Sequence, residues 1–323
     1  FNIPDYIKEA AVEAINDNYH KYSPVDGYLD LKKAICKKFK RDNNLNYDVD
    51  QIVVSTGAKQ SIANVCMSLI NKGDEVLIPT PYWVSYSAMV ELAEGVPVFI
   101  NPDKDSNYKI TAQQLDSAIT DKTKMLMLNS PNNPSGSVFT ELEYLEFSKV
   151  LLKYPNIIIV SDEIYEHINY GVKSVSFASL PGMYDRTVTV NGISKAYAMT
   201  GWRIGYLGAP KVIAKACNKM QGQITSGANC IAQRATIKAL EESPEKIQYM
   251  VDEFKIRRDF IIDLVTKING FNIKQPPMGA FYIFPNISEL FGKTFKDVTV
   301  NDANALSCLL YTSDAADDVV WVG

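Results

Sequence analysis

A lysine just past a β-branched run, with an arginine eight residues further on, is where this sequence first suggests chemistry. The segment N-G-I-S-K-A-Y-A-M-T-G-W-R, Asn191 to Arg203, starts at a strand end, and ligands in open α/β sheets bind at the carboxyl ends of strands. An isolated loop lysine is usually solvated. Here small residues permit close backbone approach, and Tyr197 and Trp202 supply apolar walls that favour the neutral amine of Lys195. The neutral amine is the form that condenses with a carbonyl to a Schiff base.

Three further strand ends carry polar groups. S-D-E-I-Y, Ser161 to Tyr165, follows the apolar run I-I-I-V, and a carboxylate there is costly unless it meets a cation or a strong donor. Asp162 either caps the following turn or holds a ring nitrogen protonated, as the electron sink of pyridoxal phosphate (PLP) requires. Tyr165 would then offer its hydroxyl to the cofactor's phenolic oxygen. N-S-P-N-N-P-S-G, Asn129 to Gly136, is a tight connection by turn chemistry, and Asn133 can reach the same oxygen. S-T-G-A-K-Q joins a strand to a helix near Ala58, and the free N–H groups of such a start can cradle a phosphate, with Arg203 as a planar clamp. Trp83, in P-T-P-Y-W-V-S-Y, is either core packing or a flat surface for a pyridine ring.

These residues need a scaffold, and the pattern supplies one. Short β-branched runs alternate with helical periods, predicting a mostly parallel seven-stranded sheet between helices. The strands are expected at Gln51–Ser55, Glu75–Pro79, Val96–Ile100, Lys124–Asn129, Ile157–Ser161, Thr187–Asn191 and Ile204–Gly208. Thr111 with Gln114, and Thr140 with Glu143, read as helix starts with capping boxes. Beyond Pro210 the periods are helical, at about Lys211–Gln221, Ile231–Glu241 and Pro244–Ile268. Gly270 and Pro276-Pro277 mark a boundary before a small α+β unit. The resulting division is 1–24 for a helix (Pro4–Asn16) packed on the small unit together with a dimer arm, 25–269 for the large domain, and 270–323 for the small one.

Composition excludes several function classes. With 33 basic and 37 acidic side chains among 323 residues, no chain-wide field exists to hold nucleic acid or an anionic membrane. No apolar run approaches the roughly 20 residues of a membrane span. The five cysteines are scattered, and two histidines complete no metal-ligand spacing, so no metal site is expected and a cytoplasmic, reducing compartment is. A nicotinamide dehydrogenase is set aside because no G-x-G-x-x-G occurs.

Together the motifs resemble the PLP-dependent aminotransferases of fold type I, specifically the class I/II group that contains the bacterial aspartate aminotransferases. The likeness runs from residue 2 to about 300. Its most specific part is S-K-A-Y-A-M-T-G-W-R-I-G-Y, preceded in order by N-P-S-G and D-E-I-Y. The resemblance implies Lys195 as the Schiff-base lysine and proton shuttle, Asp162 on the pyridine nitrogen, and Tyr165 and Asn133 on the phenolic oxygen. It further implies Trp83 on the ring face, with Gly57, Ala58, Lys59 and Arg203 on the phosphate. It implies a homodimer, in which Tyr22, within H-K-Y-S-P-V-D-G, reaches the partner's phosphate. The implied reaction is transamination of an L-amino acid, aspartate or a relative, with 2-oxoglutarate; β-lyases and decarboxylases share the scaffold, so reaction type stays open. Two family elements have no counterpart: a glycine-containing segment before the first helix, and a terminal strand carrying an arginine for the substrate α-carboxylate. The last arginine is Arg258, the last cation Lys296, and Leu306–Gly323 resembles nothing in the family. An end truncated or shifted in frame is therefore expected, and with it a PLP-binding chain of impaired catalysis.

Overall fold

The computed structural model of the protein describes residues 1–103, 106–295 and 297–311. Seven strands form one sheet: β1 (Ile52–Ser55), β2 (Glu75–Pro79), β3 (Val96–Ile100), β4 (Thr123–Asn129), β5 (Ile158–Asp162), β6 (Thr187–Gly192) and β7 (Gly205–Gly208). Their order is β1-β7-β6-β5-β4-β2-β3, and only β7 runs against its neighbours. The mostly parallel seven-stranded sheet expected from the alternating pattern is thus present.

The helices are α1 (Asp5–Asn16), α2 (Leu29–Asn43), α3 (Ala58–Leu69), α4 (Ser85–Leu92), α5 (Ala112–Ala118), α6 (Glu141–Leu151), α7 (Lys211–Ile224), α8 (Cys230–Glu241), α9 (Gln248–Val265) and α10 (Ala303–Tyr311). Strand β4 shows why the sheet is covered on both faces. Its side chains alternate, so Met125 and Met127 enter one core with residues of α3, α4 and α7, while Leu126 and Leu128 enter another with residues of α5 and α6. Each such side chain, once buried, contributes roughly 1.5–3 kcal/mol. Both predicted capping boxes form: Thr111 accepts from Gln114 N and Thr140 from Glu143 N, with the reciprocal side-chain bonds in place.

Two compact units divide the chain, residues 1–255 with 277–282, and 256–276 with 283 onward. The boundary expected near Gly270 lies inside the second unit. That unit holds a two-stranded pair, β8 (Thr294–Phe295) with β9 (Val298–Thr299), and a small cluster of Leu290, Val300 and Leu306. Helix α1 departs from expectation. It does not join the small unit; Ile7 and Ala11 sit in the first unit's core with Leu31, Ala235 and Ala239, and α1 packs on α8. The reason is shape: the narrow stripe Ile7, Ala11, Ala14 fits the alanine-rich face of α8.

Candidate active site

The carboxyl ends of β4, β5 and β6 and the end of β1 surround a cavity of about 240 Å³. Lys59, Trp83, Asn133, Asp162, Tyr165, Lys195 and Arg203 all line it, with Ala58. Eight of the positions singled out in the sequence thus converge on one space.

Asp162 is the last residue of β5 and is only 4% exposed. Tyr86 Oη donates to its Oδ2 at 2.7 Å, and Ile164 N to its Oδ1 at 3.2 Å. Burial pushes the carboxyl up to about 6, against those two donors and the charge of Lys195. Lys195 stands three residues beyond β6. Burial lowers its ammonium, Arg203 adds to that, and Asp162 opposes both. Its Nζ lies 5.8 Å from the Tyr165 ring and 5.6 Å from that of Phe281. No hydrogen bond holds it among the described residues. A partly dehydrated amine beside an acid is suited to carbonyl condensation and proton transfer.

The opposite wall is an anion cradle. Helix α3 begins at Ala58 with no side-chain cap, so the first N–H groups face no acceptor of their own helix. Gly57 (φ 84°) lies against Arg203, where an added Cβ would sit 2.3 Å from Nη2, and a Cβ on Gly205 would sit 2.1 Å from Ala58 N. Only glycine lets the β1 and β7 ends approach this closely. Arg203 itself adopts the left-handed region (φ 56°), and its Nη1 donates to Thr200 O at 2.8 Å. No carboxylate pairs with it among the described residues, which leaves a fork for an anion. Lys59 Nζ projects to 4.8 Å from the Trp83 ring.

Asn133 is held by its backbone, whose N–H donates to Asn129 Oδ1 at 2.7 Å, while Asn129 Nδ2 donates to Asp162 O at 2.9 Å. Asn129 therefore ties the loop of Asn133 to the strand of Asp162. Tyr165 lies beside Asn133, and its hydroxyl pairs with Tyr282 Oη at 2.6 Å; burial first, then this bond, holds the Tyr165 phenol far above its ordinary range. Tyr86, Asn129 and Tyr282 are site residues that the motifs did not single out. Tyr86 and Asn129 belonged to segments already quoted, whereas Tyr282 lay in a stretch read as the start of the small unit. Tyr22 is not in the cavity and is 98% exposed. Residues 312–323 of the atypical tail, and Lys296, lie outside the described residues. Among the other arginines, Arg186 donates to the carbonyls of Leu151, Tyr154 and Ile157, Arg41 to Asp42 and Leu240 O, and Arg234 to Asp30.

Behind the 162–167 loop is a second polar cluster. Glu166, fully buried, accepts from Lys38 Nζ, from Asn191 Nδ2 at 2.6 Å and from Asn43 Nδ2 at 2.6 Å. Burial alone would raise its carboxyl, but Lys38 and His167 hold it low. Glu163 accepts from Ser161, Ser176 and Phe177 N, and burial with the charge of Glu166 pushes it up to about 8. Asp42, Glu166 and His167 could converge on a metal ion, but the Lys38 ammonium already supplies a cation there.

A parallel sheet with a lysine, an acid and an anion cradle at its switch region defines a fold type I enzyme scaffold. Residues 1–312 match the model of the aminotransferase class I and II family, and the chain belongs to that family. It is 46% identical over 307 residues to a probable aspartate/prephenate aminotransferase of Rickettsia bellii, covering 94% of this chain and 77% of that protein. It is 43% identical over 321 residues to the aspartate aminotransferase of Pinus pinaster, covering 98% of this chain and 65% of that one. Among solved structures, the aspartate aminotransferase from Rhizobium meliloti superposes with a TM-score of 0.93 at 42% identity, covering 96% of this chain and 78% of that one.

Proposed function

We propose that this chain is a PLP-dependent aminotransferase that takes aspartate as amino donor and 2-oxoglutarate as acceptor. The observation that carries the reading is Lys195, its ammonium depressed, in one cavity with buried Asp162 and an anion cradle that a single Cβ would fill. The residues fit the cofactor group by group. The N–H groups of Ala58 and Lys59, reached past Gly57, and the Arg203 fork would hold the phosphate. Trp83 would cover the ring, Asp162 would meet the ring nitrogen, and Asn133 and Tyr165 the phenolic oxygen. When bound, PLP supplies an electron sink for the pair left at the substrate Cα.

The chain's own part is acid–base and electrostatic. Tyr86 fixes the Asp162 carboxylate, whose charge then matches a protonated ring nitrogen. Lys195 Nζ, whose ammonium burial depresses, accepts the Cα proton of the bound amino acid in its neutral form. Lys59 adds a positive charge over Trp83, at the wall where an acidic side chain is best stabilised. The names of the relatives support aspartate as that substrate. A homodimer follows the same reading: the exposed Tyr22 hydroxyl is available to the partner's phosphate site, and a cytoplasmic location accords with scattered free cysteines. No helix among the described residues is long and apolar enough to cross a membrane.

Two measurements test this. Borohydride reduction of the PLP-loaded protein, followed by peptide mapping, should place the label on Lys195; a label on another lysine overturns the site. Aspartate with 2-oxoglutarate should yield oxaloacetate and glutamate in equal amounts, whereas alanine and carbon dioxide would mean a decarboxylase.

A further inference from the structure

The segment 277–282 belongs by its contacts to the first unit, although the chain on both sides belongs to the second. It is bonded to both loops that carry the polar wall of the cavity. Met278 N and Gly279 N donate to Gly136 O at 3.0 Å, Ala280 N to Ile168 O at 2.8 Å, and Tyr170 N to Met278 O at 2.8 Å. Packing is equally close: an added Cβ would meet Pro131 Cβ at 2.5 Å from Gly279 and Pro277 Cβ at 2.4 Å from Gly136. This strap thus joins the Asn133 loop to the Tyr165 loop, and at its end it delivers Tyr282 into the cavity.

The Tyr165 and Tyr282 hydroxyls are 2.6 Å apart, and only one of them can donate to the other. Among the described residues no hydrogen bond gives either proton another acceptor, so the two phenols share this one bond. We propose that Tyr282 is a positioning residue: through this bond it sets how strongly the Tyr165 phenol donates toward the ligand. Rings enforce the arrangement, since Tyr282 meets Tyr165 edge-on at 5.7 Å and Phe281 at 4.9 Å. The groups that face Tyr165 are Tyr282 from the strap, Asn133 from its loop, Asp162 from β5, Lys195 from beyond β6 and Tyr86 from α4. Burial holds both phenols above their ordinary range, so both protons are present at working pH.

The inference rests on the PLP reading above, and the test separates the two. In the holoenzyme, the pH midpoint of the bound chromophore measures how strongly Tyr165 donates to the cofactor's phenolic oxygen. A Tyr282→Phe change keeps the rings and removes one hydroxyl. Because hydrogen-bonded hydroxyls polarise one another, its loss should change the chromophore's proton affinity by about threefold and move the midpoint. In a Tyr165→Phe background the same change should move it no further. An unchanged midpoint overturns the proposal, as does an equal shift in the Tyr165→Phe background. A wild-type protein that takes up PLP with no titrating chromophore overturns the PLP reading and this inference together.

Discussion

The 162–167 loop separates two polar regions that are chemically opposite: Glu166 and Lys38 are buried on one side, while on the other Asp162 is buried, Lys195 partly buried and Arg203 exposed. On its core side, Glu166 accepts from Lys38, Asn43 and Asn191. On its cavity side, Asp162 has two donors, Lys195 Nζ no acceptor among the described residues, and Arg203 a single carbonyl. Both sides use the same residue types within a few positions of each other. The difference teaches that burial of charge does not mark a site; incomplete pairing of charge in a cavity does, because what the protein leaves unpaired a ligand can pair.

Substitutions that break this contrast should act on different observables. The largest effect is expected from Lys195→Ala, which should lower transamination by about 10³-fold or more, as loss of a positioned acid–base group does. Its unfolding midpoint should stay near that of the unaltered protein. Glu166→Ala should do the reverse. Removing Glu166 takes the close carboxylate from buried Lys38, leaving it Asn43 Oδ1 at 2.7 Å and Asp42 at 3.8 Å, and stability in urea should fall by about 3–5 kcal/mol. A Glu166→Ala protein of ordinary stability would show that the core side is as loosely paired as the cavity side.

Asp162 sharpens the comparison through pH. Its carboxyl is raised to about 6 from 3.8, so the folded, PLP-free protein holds that proton more tightly than the unfolded chain. The associated stability is fully present below about pH 4 and is lost as pH rises through 6, which amounts to roughly 3 kcal/mol. Asp162→Asn cannot ionise. Without PLP it should be about 2–3 kcal/mol more stable than the unaltered protein at pH 8 and equal to it at pH 4, by urea unfolding at both pH values. The smallest effect is expected from Lys59→Ala, which should raise the KM for aspartate about tenfold and leave that for an uncharged amino donor unchanged. An equal rise for both would remove Lys59 from substrate recognition.

Much of this was legible from residue order. Strand β4 is expected at Lys124–Asn129 and found at Thr123–Asn129, since an apolar run bounded by charged residues and N-S-P admits little else. The strand-end motifs were legible because chain topology brings the ends of parallel strands to one edge. Tyr282 was not, being 117 residues from the hydroxyl that it meets, in a run that reads as ordinary apolar sequence. Lys38 is similar: within the strongly charged helix α2 nothing distinguishes the one lysine that faces inward from those that face water. The packing partner of α1 was missed for the same reason, because an amphipathic stripe states that a face is buried and not against what.

The pairing of β1 with β7 also bears on how the protein comes into being. Ser55 lies opposite Gly205, and the cradle between Gly57 and Arg203 exists only across that seam. During synthesis the first half of the cradle must wait until the intervening strands have emerged and stacked, so its closure is among the most non-local events in the folding of this domain. Anion binding at the seam should therefore report completion of the sheet. Such a ligand can lock the finished fold and slow its unfolding, but it has nothing to grip on the nascent chain.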